Sequence, residues 1–181
     1  MKYIKIFLVI LFFVFNKNSL HAQGDKMNST MPSFNTDYMK EIDAAQDKIL
    51  ALAEAFPQDK FSWRPMEGVR SPSEVFMHVA SANFYLLSFM GADLPKDLTR
   101  GIEKEVTKKE EVIKWVKSSY ENLKSFMSKF DPKTLDDPLE YFGTKGDKRH
   151  LLFILLDHNH EHLGQAIAYA RMNKIVPPWS K

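Results

Sequence analysis

The stretch Ser71-Pro72-Ser73-Glu74-Val75-Phe76-Met77-His78-Val79 carries the clearest helix-start signal in the chain. Ser71 can cap a helix, Pro72 suits the first helical position, and Glu74 completes a capping box. Apolar residues then recur at steps of three and four, which is the spacing of one helix face: Val75, Val79, Ala82 and Leu86. We therefore predict a helix, helix 2, that begins at Ser71 and ends before Gly91.

Three other stretches show the same helical periodicity, and no segment alternates apolar and polar residues as a half-buried strand does. Helix 1 is predicted over residues 35–56. Helix 3 starts with a second capping box, Thr107-Lys108-Lys109-Glu110, and ends at Asp131-Pro132. Helix 4 covers residues 148–173, after the turn-prone residues 143–147. Long amphipathic helices of similar length favour an all-α four-helix bundle, with the order of the connections left open.

The beginning of the chain has the three-part pattern of a secretory signal peptide over residues 1–22. Two lysines precede an unbroken apolar run over residues 6–15, which turns polar and reaches Ala22-Gln23. The run is shorter than the roughly 20 apolar residues of a transmembrane helix. We expect cleavage between Ala22 and Gln23, export to the periplasm or secretion, and no stable membrane anchor afterwards. An uncleaved anchor is the alternative.

The remainder of the chain reads as a polar, flexible arm over residues 23–33 and one domain over residues 34–181. Three of the 25 basic residues lie in the leader, which leaves 22 against 23 acidic residues. This balance, without a basic run threaded by aromatic residues, excludes an electrostatic footprint for nucleic acid. The absence of cysteine removes disulfides, thiolate ligands and a cysteine nucleophile. A bound metal would therefore need nitrogen and oxygen ligands.

Three of the six histidines fall on inward helix faces. His158 and His162 are four residues apart, about 40° around the helix axis, so both rings can chelate one ion. His78 lies on the apolar stripe of helix 2. Three imidazoles can bind zinc, nickel, copper or iron and leave positions open for water or substrate. The alternative is that each ring is an ordinary core residue, but burying three rings together without metal would lower their pKa values and stabilise nothing.

The other polar residues near these positions are candidates for supporting roles. We place His150 and His160 at the surface or behind the ligands. Four residues could orient a ligand or hold a proton: Glu74, Asp157, Glu161 and Gln165. Glu74 is already accounted for by capping, and the other two acids are expected to be solvated.

Two segments have the motifs of a known family. They are Phe61-Ser62-Trp63-Arg64-Pro65-Met66-Glu67-Gly68-Val69-Arg70-Ser71, followed by Glu74 and His78, and His158-Asn159-His160-Glu161-His162-Leu163-Gly164-Gln165, followed by Pro177-Pro178. With these segments the chain resembles the DinB/YfiT-like superfamily. The resemblance implies a four-helix bundle, often a homodimer, that binds a divalent metal ion through His78, His158 and His162. We expect nickel or zinc, with iron, manganese or copper as alternatives. Leu163 stands where many members have arginine.

The resemblance also implies a range of activities. Some members are thiol-dependent transferases or isomerases, others look like metal-dependent hydrolases, and many have no known reaction. Export argues against the thiol branch, because small thiols are concentrated in the reducing cytosol. We expect a metal-dependent enzyme, hydrolase or thiol-transferase-like, with an unidentified small-molecule substrate. The alternatives are a non-catalytic metal- or small-ligand-binding stress protein, and an interaction module whose aromatics, such as Trp63 or Trp179, contact a partner.

Overall fold

The structure, a computed structural model, describes residues 33–180 and shows a mostly helical domain. The helices are α1 (Phe34–Ala55), α2 (Pro72–Ser88), α3 (Ile102–Glu105), α4 (Lys109–Met127) and α5 (Lys148–Met172). Single 3₁₀ turns lie at Gln58–Lys60, Pro132–Thr134 and Pro178–Ser180. Within residues 33–180, none of the helices combines the length and apolar character that crossing a membrane requires.

Not every prediction falls within this part of the chain. The predicted signal peptide over residues 1–22, its cleavage point, and nearly all of the predicted arm over residues 23–33 lie outside the described residues. The four predicted long helices correspond to α1, α2, α4 and α5. Most of their ends lie within two residues of the predicted ends, which is the usual uncertainty of helix boundaries. Helix α4 ends at Met127, four residues before Asp131, where the predicted helix stops.

The four long helices pack around one hydrophobic core. Helix α2 lies against α4 and α5, and α1 lies against the same two helices. Every long helix contributes side chains that are fully buried there, including Ile42, Leu52, Met77, Leu87, Val116, Leu123, Leu151 and Leu155. Burying each such side chain contributes about 1.5–3 kcal/mol. The predicted all-α class is confirmed in that the described domain is mostly helical, and the same packing brings the inward faces of α2 and α5 together.

The two predicted capping boxes have different outcomes. At α2 the box forms: the Ser71 side chain accepts from the Glu74 backbone, and the Glu74 carboxylate accepts from the Ser71 N–H at 2.8 Å. At α4 the predicted box at Thr107 is wrong, since Lys108 is the N-cap residue and its side chain makes no capping bond. The Gln58 side chain caps instead, because its Oε1 accepts from the Lys109 backbone N–H at 2.7 Å. A tertiary contact therefore replaces the local one.

A short β-hairpin also departs from the prediction that no segment forms a strand. Strands β1 (Pro138–Tyr141) and β2 (Thr144–Asp147) pair antiparallel, with Tyr141 opposite Thr144. The predicted turn over residues 143–147 is this hairpin's turn and second strand. At its tip, Phe142 and Gly143 have positive φ values of 49° and 76°, as in the two-residue turns that match strand twist.

Candidate metal centre

Three histidine rings converge where α2 faces α5. His78 lies on α2, and His158 and His162 lie on successive turns of α5. One ring nitrogen from each residue lies within 4.8 Å of the others, and Nε2 of His78 is 3.0 Å from Nε2 of His158. Two nitrogens bound to one zinc ion at about 2.0–2.1 Å are themselves about 3 Å apart. The three histidines are therefore close enough to hold one metal ion.

The apolar face of α5 positions its two histidines. Leu151 and Leu155 are fully buried before them, and Ala166 and Tyr169 are buried after them. His162 is 8% exposed, and His158 and His78 are half-buried. Because residues four apart share a face, burying this stripe turns both rings inward.

The two remaining histidines of the described chain lie outside the cluster, as predicted. His160 is exposed, and its Nδ1 donates to the Leu156 carbonyl at 3.0 Å. His150 is exposed at the start of α5, and its Nδ1 lies 2.7 Å from the hydroxyl of Tyr141. This second contact ties the hairpin to α5.

An acidic residue that sequence analysis missed holds His78 in place. Glu103, on the single-turn helix α3, accepts from Nδ1 of His78 at 2.6 Å, and its other oxygen accepts from Nε of Arg70 at 2.9 Å. Burial raises the pKa of Glu103, but the hydrogen bonds from Arg70 and His78 outweigh burial and lower the pKa overall. An ionised carboxylate only accepts, so Nδ1 carries the proton and Nε2 of His78 presents a lone pair to the cluster.

A neutral side chain holds His162 in the same way. Gln165 Oε1 accepts from Nδ1 of His162 at 2.8 Å, and Gln165 Nε2 donates to the hydroxyl of Tyr169 at 2.9 Å. The amide thereby fixes the ring's orientation and leaves Nε2 as the unprotonated nitrogen. Gln165 was among the residues predicted to orient a ligand, and the structure confirms this contact.

The third ring, His158, has no such support. Its Nδ1 is buried and has no hydrogen-bond partner among residues 33–180. If Nδ1 carries the proton, the lone pairs of His158 and His78 face each other at 3.0 Å. A cation between these nitrogens would relieve that repulsion. The donor set of three imidazole nitrogens therefore fits a borderline metal ion such as zinc or nickel.

Electrostatics keeps two of these rings neutral near pH 7. Burial, together with the nearby His162 and His78, lowers the pKa of His158 to about 3. Burial also lowers the pKa of His78, although Glu103 acts in the opposite direction. Neutral imidazole is the form that binds metal, so these rings need no deprotonation before binding.

The acids that sequence analysis proposed as ligand supports do not contact the rings. Glu74 pairs with Arg64, with distances of 2.5 and 2.6 Å between their polar atoms, and hydrogen bonding to Arg64 is the main reason that the pKa of Glu74 is lowered. Asp157 and Glu161 are exposed on the outer side of α5. Their exposure agrees with the expectation that they are solvated.

A buried polar network beside the rings was also missed. Asn159 accepts from the Tyr120 hydroxyl at 2.5 Å and donates to Asn83 at 2.8 Å. Asn83 in turn donates to Ser119 at 3.2 Å. All four residues are fully buried and join α2, α4 and α5. Asn159 directly follows His158, so the network holds α5 in the rotation that turns its histidines inward.

Two cavities border the centre, and Glu103 lines both of them. One, of about 290 Å³, is lined by His78 and His158 together with mostly apolar residues. The other, of about 600 Å³, is lined by Glu103 and Gln165, the residues behind the rings, and by three basic residues. A further cavity of about 230 Å³ beside Trp115 includes none of the three histidines. A small molecule can therefore approach the rings directly from the first cavity.

Fold and site together define a class: helical bundles with a three-histidine cluster on the facing sides of two helices. A model of the DinB superfamily matches residues 41–166, which is more than half of the chain. The chain therefore belongs to the DinB superfamily, as the sequence motifs indicated.

Solved structures agree with this fold. A DinB-like protein from Bacillus cereus ATCC 10987 aligns with a TM-score of 0.69 at 16% identity, covering 78% of this chain and 93% of that one. A DinB-like protein from Bacillus subtilis gives 0.63 at 19%, with coverages of 80% and 97%. A conserved protein from Enterococcus faecalis gives 0.61 at 14%, with coverages of 78% and 97%. No functionally curated protein matches the chain.

Proposed function

We propose that the chain binds one divalent metal ion through His78, His158 and His162 and uses it in a metal-dependent reaction on a small molecule. The observation that carries this proposal is the convergence of the three rings, with ligand nitrogens within 4.8 Å of one another. Nickel and zinc are the first candidates for the ion, ahead of iron, manganese and copper. Three protein ligands leave coordination positions open, which is the arrangement of catalytic sites.

The residues around the three histidines have separate roles in such a site. When bound, the ion supplies Lewis acidity that polarises a substrate group. Glu103 and Gln165 hold the protons of His78 and His162 on Nδ1, so that both Nε2 atoms point inward. The cavity of about 290 Å³ on the side of His78 and His158 admits the substrate.

The proposal includes a place of action and a reaction class. The predicted leader over residues 1–22 favours export to the periplasm or secretion. Hydrolase chemistry is favoured over thiol transfer, because small thiols are scarce outside the reducing cytosol. The homodimer that the family resemblance implies is part of the same proposal.

Metal titration of untagged protein tests the site. We expect one equivalent of Ni²⁺ or Zn²⁺ to bind by isothermal titration calorimetry, and elemental analysis to find the same stoichiometry. His158→Ala and His162→Ala should each weaken binding at least a hundredfold. His160→Ala is the matched control, because His160 lies on the exposed side of the same helix. Equal binding by all three variants would contradict the proposal.

One observation favours a second candidate, a non-catalytic metal- or small-ligand-binding protein. The carboxylate that contacts a ring in the described chain, Glu103, is already bonded to Arg70 and His78, so it is not free to act as a general base. Loaded protein that binds metal stoichiometrically but turns over no ester, amide, phosphoester or thiol acceptor in a broad panel would favour this candidate.

A further inference from the structure

The cavity that touches His78 and His158 is mostly apolar. Its walls come from α2, α3, α5 and the hairpin tip, and include Ala82, Leu86, Ile102, Phe142 and Ile154. Leu86 is 5% exposed and Ile102 is 3% exposed, so both side chains are buried in the hydrophobic core and their positions are fixed by packing. The cavity therefore places an apolar surface directly beside two of the candidate ligands.

The polar groups of this cavity are mostly engaged elsewhere. The Ser81 hydroxyl donates to the His78 carbonyl at 3.1 Å. The Thr99 hydroxyl donates to Glu105 at 3.0 Å, and Glu103 is held by Arg70 and His78. Tyr85 and Arg100 also line the cavity and are the polar groups there that a ligand can bond. A strongly polar molecule placed here would regain only part of the hydrogen bonds that it loses with water, which is unfavourable.

Phe142 forms the outer part of this cavity from an uncommon backbone conformation. Its φ of 49° is left-handed, a region that glycine and asparagine adopt more readily than a bulky residue. Phe142 is 72% exposed, and its ring packs on that of Phe89 with a centroid distance of 4.7 Å. The hairpin thus presents an aromatic side chain to the cavity at a conformational cost, which is typical of functional sites.

The cavity of about 600 Å³ has a more polar lining. Its lining includes Arg64, Arg70 and Lys104 together with Glu74 and Glu103. Two of these basic side chains form ion pairs, Arg64 with Glu74 and Arg70 with Glu103. The charged residues of this cavity therefore mainly support the rings, whereas the apolar cavity beside His78 and His158 is the place for a substrate.

We propose that the substrate carries an apolar group that occupies this cavity while its polar head reaches the metal, and that Phe142 determines how large a group is accepted. This inference rests on the proposed function above. A cavity of about 290 Å³ lies at the lower end of the range for small-molecule sites, so it suits a short alkyl or single-ring group.

A series of alkyl hydroxamic acids tests the inference, since the hydroxamate head chelates the metal and the tail probes the cavity. On nickel-loaded protein we expect calorimetry to show affinity rising about fourfold for each added methylene from acetohydroxamate to hexanohydroxamate. Constant affinity along the series, with acetohydroxamate still bound, would overturn the apolar cavity but leave the metal site intact.

Two variants locate the effect. Phe142→Asn removes the ring and suits the left-handed turn, so the hairpin is retained; it should weaken hexanohydroxamate binding at least fivefold and leave acetohydroxamate and metal binding unchanged. Phe153→Asn, at an exposed phenylalanine of α5 outside this cavity, is the matched control. Equal effects of both variants on hexanohydroxamate would refute the role of Phe142.

Failure of the proposed function is seen separately. If the chain takes up no metal, 1-hexanol is titrated into metal-free protein with labelled isoleucine methyl groups. Saturable shifts at Ile102 and Ile154 would support the apolar cavity, and their absence would overturn it.

Discussion

Two of the three histidine rings are supported from behind, and the supports are of different kinds. His78 is held by a charged pair: Glu103, 25 residues after it in the sequence, accepts from the ring, and Arg70, eight residues before it, binds Glu103. His162 is held by the neutral Gln165, three residues further along the same helix. An ionised acceptor makes a ring a stronger donor to metal than an amide does, whereas an amide on the same helix keeps its geometry at low cost.

His158 shows what a ring without either support depends on. Its Nδ1 has no partner in the described chain, so no residue outside the three-histidine cluster holds this ring by a hydrogen bond, and its position depends on that of α5. Asn159, the next residue, links α5 to Tyr120 and Asn83. The three rings therefore depend on a charged contact, a neutral contact and the placement of a whole helix, and each dependence can be broken separately.

The largest effect is expected at Asn159. Replacing Asn159 by Ala leaves the Tyr120 hydroxyl and the Asn83 amide oxygen without their partner in the core, which should lower the free energy of unfolding by about 3 kcal/mol. Chemical denaturation checks this value, and His160→Ala, on the exposed side of α5, should stay within about 0.5 kcal/mol. A loss at Asn159 no larger than at His160 would mean that the network does not hold the helix.

Glu103→Gln tests the charged support. The amide can still accept from His78, but the negative charge is lost, so we expect metal affinity to fall about 10- to 100-fold with little change in stability. Competition with a chelator of known affinity measures the change. Glu105→Gln, on the same short helix and facing Thr99, should leave metal affinity unchanged. A matching loss at Glu105 would point to a general charge effect instead.

Gln165 tests the neutral support with two substitutions. Gln165→Ala frees the His162 ring to rotate and should weaken metal binding about tenfold. Gln165→Glu converts the neutral support into a charged one, so metal affinity should equal or exceed that of the parent protein. Chelator competition again measures both. If Gln165→Glu weakens binding as much as Gln165→Ala, the comparison between charged and neutral supports is wrong.

The two supports also differ in how well the sequence predicts them. His158, His162 and Gln165 lie on one helix, so the helical repeat alone places all three on the same face. The inward position of His78 is predicted from the apolar residues that share its face of α2. Glu103 lies on a one-turn helix in the segment between α2 and α4, where no repeat relates it to His78. Only the tertiary fold brings that carboxylate to the ring.

The same reasoning explains the two errors in the predicted fold, the missed hairpin and the capping box at α4. Strands of four residues, with Pro138, Glu140 and Lys145 among them, carry too few apolar residues to show a period of two. At α4 the local pattern of a capping box was present, but Gln58, 49 residues before Thr107, occupies the helix start. Long, locally determined helices were predictable, whereas contacts between distant segments were not.

The smallest effect is expected at a second charged pair, Glu74 with Arg64, which lies at the start of α2 away from the rings. Hydrogen bonds from Arg64 lower the pKa of Glu74 in the folded protein. The ionised carboxylate therefore stabilises the fold at pH values above its unfolded pKa, which is about 4.3, and this contribution is lost as the pH falls through the lower folded pKa. Glu74→Gln should cost about 1 kcal/mol at pH 6.5 and progressively less towards pH 3.

Urea denaturation at a series of pH values measures this dependence. Glu67→Gln is the control, because Glu67 is an exposed acid in the same connection before α2. A deficit of Glu74→Gln that stays constant down to pH 3 would assign the residue's contribution to capping geometry and not to charge. Because metal affinity should not change in this variant, the two charged pairs can be separated: one acts on the helix start, and the other acts on the candidate ligand His78.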